Sequence, residues 1–169
     1  MRPAIARRPK ALLLDDDPAV LRLLGRMLSA RGVEVVAATE GEGGLELLLD
    51  ELLDLDVLIV DLDLPGRDAR SMLRLIRGAG GEEDLRVVVL ADRPGAAVRT
   101  RLLALGADAV VDRAEGPEEA VRVAVATAAR RRLDPTAARV EPQGASPRRP
   151  RRPSLLALPA FASASAAPA

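Results

Sequence analysis

The sequence predicts an α/β fold in which five βα units form a doubly wound parallel five-stranded sheet. Short apolar runs rich in Leu, Val and Ile alternate with segments whose apolar residues recur at helical spacing. The runs are continuous rather than alternating, as expected of parallel strands covered by helices on both faces. Two of them end in acids: Leu12-Leu13-Leu14 runs into Asp15-Asp16-Asp17-Pro18, and Val57-Leu58-Ile59-Val60 runs into Asp61-Leu62-Asp63-Leu64-Pro65-Gly66.

The strands are expected at Ala11 to Leu14, Val33 to Ala37, Val57 to Val60, Arg86 to Ala91 and Ala109 to Val111. Between them, apolar residues recur at helical spacing. Val20, Leu24, Met27 and Leu28 mark the first helix, and Leu45, Leu48, Leu49 and Leu52 the second. Met72, Leu75 and Ile76 mark the third, and Val98, Leu102 and Leu105 the fourth. A last helix runs from about Pro117 to Arg132, with Val121, Val125 and Ala128 on one face. Asp17-Pro18 opens the first helix as cap and first-turn proline, Gly32 closes it, and Gly106 closes the fourth.

Three segments follow from composition: an N-terminal extension over 1–9, the domain over 10–133, and a tail over 134–169. The tail is rich in Pro, Ala, Arg and Ser without periodicity, and is expected to be disordered. Its one apolar patch, Leu155, Leu156, Leu158 and Phe161, reads as a low-complexity end rather than a docking peptide. The basic run Ser146-Pro147-Arg148-Arg149-Pro150-Arg151-Arg152-Pro153 lacks aromatic partners and a folded reader, so weak, salt-sensitive contact with nucleic acid is the most it would give. No stretch approaches the roughly 18 apolar residues of a membrane span. A cytoplasmic, non-enzymatic protein without a membrane partner is expected.

The chain has no Cys and no His, which removes thiolate and imidazole metal sites, disulfides and histidine acid/base chemistry. The body's few hydroxyls sit in no nucleophile elbow, so Asp becomes the leading candidate nucleophile. If the first and third strands are neighbours, Asp15, Asp16 and Asp61 converge in the crevice where open α/β sheets bind ligands. Such a cluster of oxygens suits a hard cation such as Mg²⁺. A carboxylate attacks phosphate poorly unless charge repulsion is cancelled, so a phosphoacceptor Asp needs a cation beside it.

These stretches, with Leu105-Gly106-Ala107-Asp108-Ala109, resemble the receiver domain of two-component response regulators over about Lys10 to Arg131. The resemblance implies a flavodoxin-like receiver fold, and a phosphoryl group accepted on Asp61 from a sensor histidine kinase or histidine phosphotransfer protein. It further implies Mg²⁺ held by Asp15, Asp16, Asp61 and the backbone carbonyl of Asp63, with output through an unnamed downstream protein target. Because the chain lacks His, the donor is another molecule. Asp17 reads as a helix cap.

The sequence departs from the family at the positions that surround the phosphoryl group. Ala91 stands where the family has Thr or Ser, and Asp92 follows it with a further negative charge. Arg113 and Ala114 replace Lys and Pro, so the positive charge persists on a planar fork and the path of the loop is left open. Val110 replaces the aromatic switch residue, and Ala69 a small Gly. Ala91 and Val110 favour an alternative reading as a pseudo-receiver, an interaction module that is not phosphorylated, while the intact Asp15, Asp16 and Asp61 oppose it. A second alternative starts from Asp61-Leu62-Asp63, which resembles the opening motif of haloacid-dehalogenase-type phosphatases. That family also needs a downstream Lys, and none follows Lys10.

Overall fold

Leu12, Leu13 and Leu14 are each wholly buried because β1 (Lys10–Leu14) lies inside the sheet, with neighbours on both sides. The computed structural model describes residues 7–51, 54–66, 68–78 and 85–133. The proposed tail, with its basic run and apolar patch, and most of the N-terminal extension lie outside the described residues. Among the described residues, no helix is long and apolar enough to cross a membrane.

The elements alternate without exception. They run β1, α1 (Pro18–Ala30), β2 (Glu34–Ala38), α2 (Gly41–Glu51), β3 (Val57–Asp61), α3 (Ala69–Arg77), β4 (Arg86–Ala91), α4 (Ala96–Ala104), β5 (Ala109–Asp112) and α5 (Pro117–Leu133). All pairings are parallel, in the order β2-β1-β3-β4-β5. The chain thus winds one way from β1 to β2 and the other way from β3 outward. Ligand crevices of open sheets lie at such a switch point, here between β1 and β3.

Alternate residues of each strand feed two cores. Leu12, Leu14, Leu58, Val60, Val87, Val89 and Ala91 pack with α2, α3 and α4. Leu13, Ile59, Val88, Leu90 and Val111 pack with α1 and α5. This is the period of two imposed by the pleat, and it recurs in the site.

The caps form as their residue types dictate. The Asp17 carboxylate accepts the Ala19 N–H, with Pro18 in the first turn. Gly32 and Gly106 follow α1 and α4 with φ of 79° and 99°, a region glycine enters without a Cβ clash. Where the loop after β5 was left open by the loss of Pro, Arg113–Glu115 forms a 3-10 turn capped by the Asp112 carboxylate, which accepts the Ala114 N–H.

Helix faces depart from expectation on α2, α3 and α5. Leu75 on α3 and Leu49 on α2 are exposed, while Ala69 and Leu73 are wholly buried. On α5 the buried stripe is Ala120, Val121, Ala124, Thr127 and Ala128, with Val125 only partly buried. An alanine stripe lets the helix come close to the sheet, which a larger residue in the same row would prevent.

Candidate functional site

Leu14 pairs with Val60 across the β1–β3 ladder, so the next residue of each strand, Asp15 and Asp61, arrives side by side at the switch point. Strand alternation sets the face. Leu13 and Ile59 belong to the core beneath α1 and α5, and Asp15 and Asp61 follow two residues later on that side. Val111 belongs to the same core, and Arg113 follows it by two.

The three side chains meet. Arg113 Nη2 donates to Asp61 Oδ1 at 2.8 Å and also pairs with Asp15 Oδ2. One guanidinium nitrogen therefore bridges two carboxylates. Asp15 Oδ1 accepts the Asp17 N–H at 3.0 Å. The Asp15 side chain is 0% exposed, that of Asp61 13% and that of Arg113 28%.

Burial pushes the Asp15 carboxyl above its ordinary pKa, against the lowering pull of the Asp17 N–H and Arg113. At Arg113 burial works against the charge, but the bonds to Asp61 and Asp15 outweigh it, so the guanidinium holds its proton more tightly than usual.

Asp16 and Asp63 are exposed beside this pair. Among the described residues no three acids gather closely enough to hold a metal ion. The donors are nonetheless hard oxygens on converging strand ends, and the space between Asp15 and Asp61 already holds a positive charge in Arg113. The chemistry of the set fits a hard divalent cation. Asp15 and Asp61 would hold it, with Asp16 and the Asp63 carbonyl nearest in sequence.

Ala91 closes β4 wholly buried, with its methyl among the residues that pack with α2, α3 and α4. No hydroxyl stands there. After it, Arg93 takes a φ of 44°, a strained value for a residue with a Cβ. The Asp112 carboxylate secures that turn by accepting the Arg93 N–H at 3.0 Å and the Ala114 N–H at 2.9 Å. Bonds from the Ala114 and Arg93 N–H groups hold the Asp112 carboxyl below its ordinary pKa. Val110, at the aromatic position, donates no ring to this face; its carbonyl accepts from Arg99 Nη1 of α4 at 2.8 Å.

Sequence reasoning missed Asp112 and Arg99. The Asp112 turn was signalled by an acid two residues before Ala114 at a strand end, the spacing of an Asx-type cap. No linear signal marks Arg99, whose contact crosses from helix to strand.

The family model for the response regulator receiver domain matches residues 11–125. The chain is 33% identical over 108 residues to the transcriptional regulatory protein KdpE of Mycobacterium tuberculosis, covering 64% of this chain and 46% of that protein. It is 33% identical over 109 residues to the sensor protein GacS of Pseudomonas syringae, covering 63% of this chain and 12% of that protein. The match thus spans less than half the length of either relative. A response regulator receiver domain protein from Clostridium thermocellum shares the fold, with a TM-score of 0.66 and 21% identity over 74% of this chain and 98% of that one.

Proposed function

This chain belongs to the response regulator receiver family, and from that premise we propose that Asp61 accepts a phosphoryl group from a partner histidine kinase or phosphotransfer protein. The observation that carries the proposal is the register that sets Asp61 beside Asp15, with Arg113 bonded to both.

An Asp61 carboxylate oxygen attacks phosphorus in line, the P–O bond forms as the P–N bond of the donor phosphohistidine breaks, and the departing imidazole keeps the electron pair and takes up a proton. Asp15 and Asp61 would hold Mg²⁺, which when bound would offset the negative charge that carboxylate and phosphoryl oxygens bring together. Arg113 provides a second positive charge on the same side, with a planar donor set that suits phosphoryl oxygens. Asp61 lies at a strand end with its side chain partly open, which gives an in-line donor access. The protein acts as acceptor rather than as a turnover catalyst, and signals from the cytoplasm through contacts with a downstream protein.

Treatment of the full chain with a small-molecule phosphodonor and Mg²⁺ should give a retarded band on a phosphate-affinity gel. Absence of that band, or its persistence in Asp61→Asn, removes the phosphoacceptor role.

A second reading, a pseudo-receiver whose surface works without phosphorylation, draws on two observations. Ala91 has no hydroxyl to follow a phosphoryl group, and Asp112 ties down the turn that would have to move. If the gel shows phosphorylation while the amide spectrum of residues 91–115 does not change, the phosphoryl group is accepted without the family's usual response.

A further inference from the structure

The helices before and after β2 segregate their charges by sign. α1 carries Arg22 and Arg26 and no acid. Between Gly32 and Gly66 the chain carries acids and no Lys or Arg, with Glu46 and Asp50 on α2. These four residues are exposed, and among the described residues none of them has an ion-pair partner. Beside each pair stands an apolar side chain without cover: Leu23 is 49% exposed and Leu49 61%.

We propose that α1 of one copy of this chain packs in parallel on α2 of a second copy. Arg22 and Arg26 stand one helical turn apart, and so do Glu46 and Asp50, so each pair forms a short row on its helix. Parallel packing sets Arg22 against Glu46 and Arg26 against Asp50. The leucines decide the direction. Leu23 follows the first Arg and Leu49 precedes the second acid, which brings both to the same flank of the facing rows only when the helices run the same way. Antiparallel packing would pair the charges and separate the leucines.

The other exposed leucines offer no equal match to α2. Leu75 lies on α3, whose Arg70 is held by Asp68. Leu103 lies on α4, whose Arg99 donates to the Val110 carbonyl and pairs with Glu115. The contact joins two different patches, so it does not close on itself and copies add head to tail. One helix pair buries less than the roughly 1,200 Å² of the smallest standard interfaces, so the assembly is weak and grows with concentration. Neither Asp61 nor Arg113 takes part, which keeps the contact separate from the phosphoacceptor reading.

Sedimentation velocity of the full chain at low salt should show a sedimentation coefficient that climbs with concentration, and about 0.5 M salt should reverse the climb by screening the exposed pairs. Arg22→Glu with Arg26→Glu, and separately Glu46→Arg with Asp50→Arg, should each remain monomeric. Their equimolar mixture should associate again, since each variant offers faces that match the other. Opposite net charges alone would also attract, so Leu49→Ser joined to the second variant should cut that recovery several-fold. A wild type that stays monomeric up to its solubility limit overturns the proposal, as does a recovery indifferent to Leu49→Ser. Loss of association in the acidic-face variant alone means that another cation covers α2, and overturns the pairing with α1. Circular dichroism confirms folding. Should a charge-reversed variant fail to fold, Leu23→Ser and Leu49→Ser in wild type decide: each should shift the climb to several-fold higher concentration, and an unshifted climb in either overturns the proposal.

Discussion

At the amino ends of the strands, Asp108 accepts from Arg77 at 3.1 Å, Arg86 at 3.0 Å and the Val87 N–H at 2.8 Å, and Asp56 accepts the Lys10 N–H at 2.8 Å with Arg7 alongside. At the carboxyl ends, Asp15 and Asp61 share one arginine nitrogen, while Asp16 and Asp63 stand exposed. Both ends use acids and arginines, and they use them differently. The amino end gives each acid several donors, backbone N–H groups among them, which fixes β4 to β5 and β1 to β3. The carboxyl end sets two acids on a single guanidinium nitrogen and desolvates one of them deeply, an arrangement that invites a cation or a phosphoryl group. The amino edge thus uses its acids for pairing alone, while the carboxyl edge combines acids placed for chemistry with the structural caps of Asp68 and Asp112.

The largest effect should come from the amino end. Asp108→Ala removes the carboxylate that accepts from Arg77, Arg86 and the Val87 N–H, with Arg77 keeping its bonds to the Gly106 and Leu85 carbonyls, and should cost about 2–4 kcal/mol in urea unfolding. Phosphorylation at temperatures where the variant stays folded should persist. Loss of phosphorylation from a folded Asp108→Ala would blur the division between the two edges.

Asp68 is a carboxyl-end acid with a structural role, since it caps α3 by accepting the Ser71 N–H at 2.9 Å. Asp68→Ala should cost about 1 kcal/mol in the same unfolding measurement. Burial opposes ionisation of Asp68, but the Ser71 bonds outweigh it and hold its pKa below 3.8. Its contribution is therefore complete above pH 3.8 and is lost as pH falls through the lower folded value, so the gap between wild type and variant should close in acid.

Asp15 should show the opposite sign and the smallest change in stability. Its folded pKa lies above 3.8, so the folded state holds the proton longer and wild type loses stability as pH rises from 3.8 through the raised value. Asp15→Asn keeps the shape without the desolvated charge and should match or exceed wild type at neutral pH by about 0.5 kcal/mol. The advantage should vanish below pH 3.8. Mg²⁺ binding should weaken in the same variant, which separates a site acid from a structural one.

Much of this was legible in the chain because the signals are local. Each strand begins and ends within one residue of its apolar run, and Asp17-Pro18, Gly32 and Gly106 mark helix ends by their own conformational needs. Asp15 and Asp61 could be placed together because parallel pairing carries strand ends to one edge. Less legible were faces set by helix approach: Leu49 and Leu75 carry apolar surface yet point outward, while Ala69 and Ala124 are buried. The meeting of Arg113 with both acids depends on the turn after β5, whose shape comes from Asp112 rather than from the missing Pro. The Asp108 cluster draws on α3, β4 and the loop before β5, a separation no periodicity reveals.

The central claim is that Asp61, beside Asp15 and Arg113, is the reactive acid of the carboxyl-end cluster. Intact-mass spectrometry after exposure to a small phosphodonor tests it most directly, with and without Mg²⁺, on wild type, Asp61→Asn and Asp108→Asn. The prediction is a gain of one phosphoryl group that requires Mg²⁺, disappears in Asp61→Asn and survives in folded Asp108→Asn. An unmodified wild type, or an equal gain in Asp61→Asn, would contradict it.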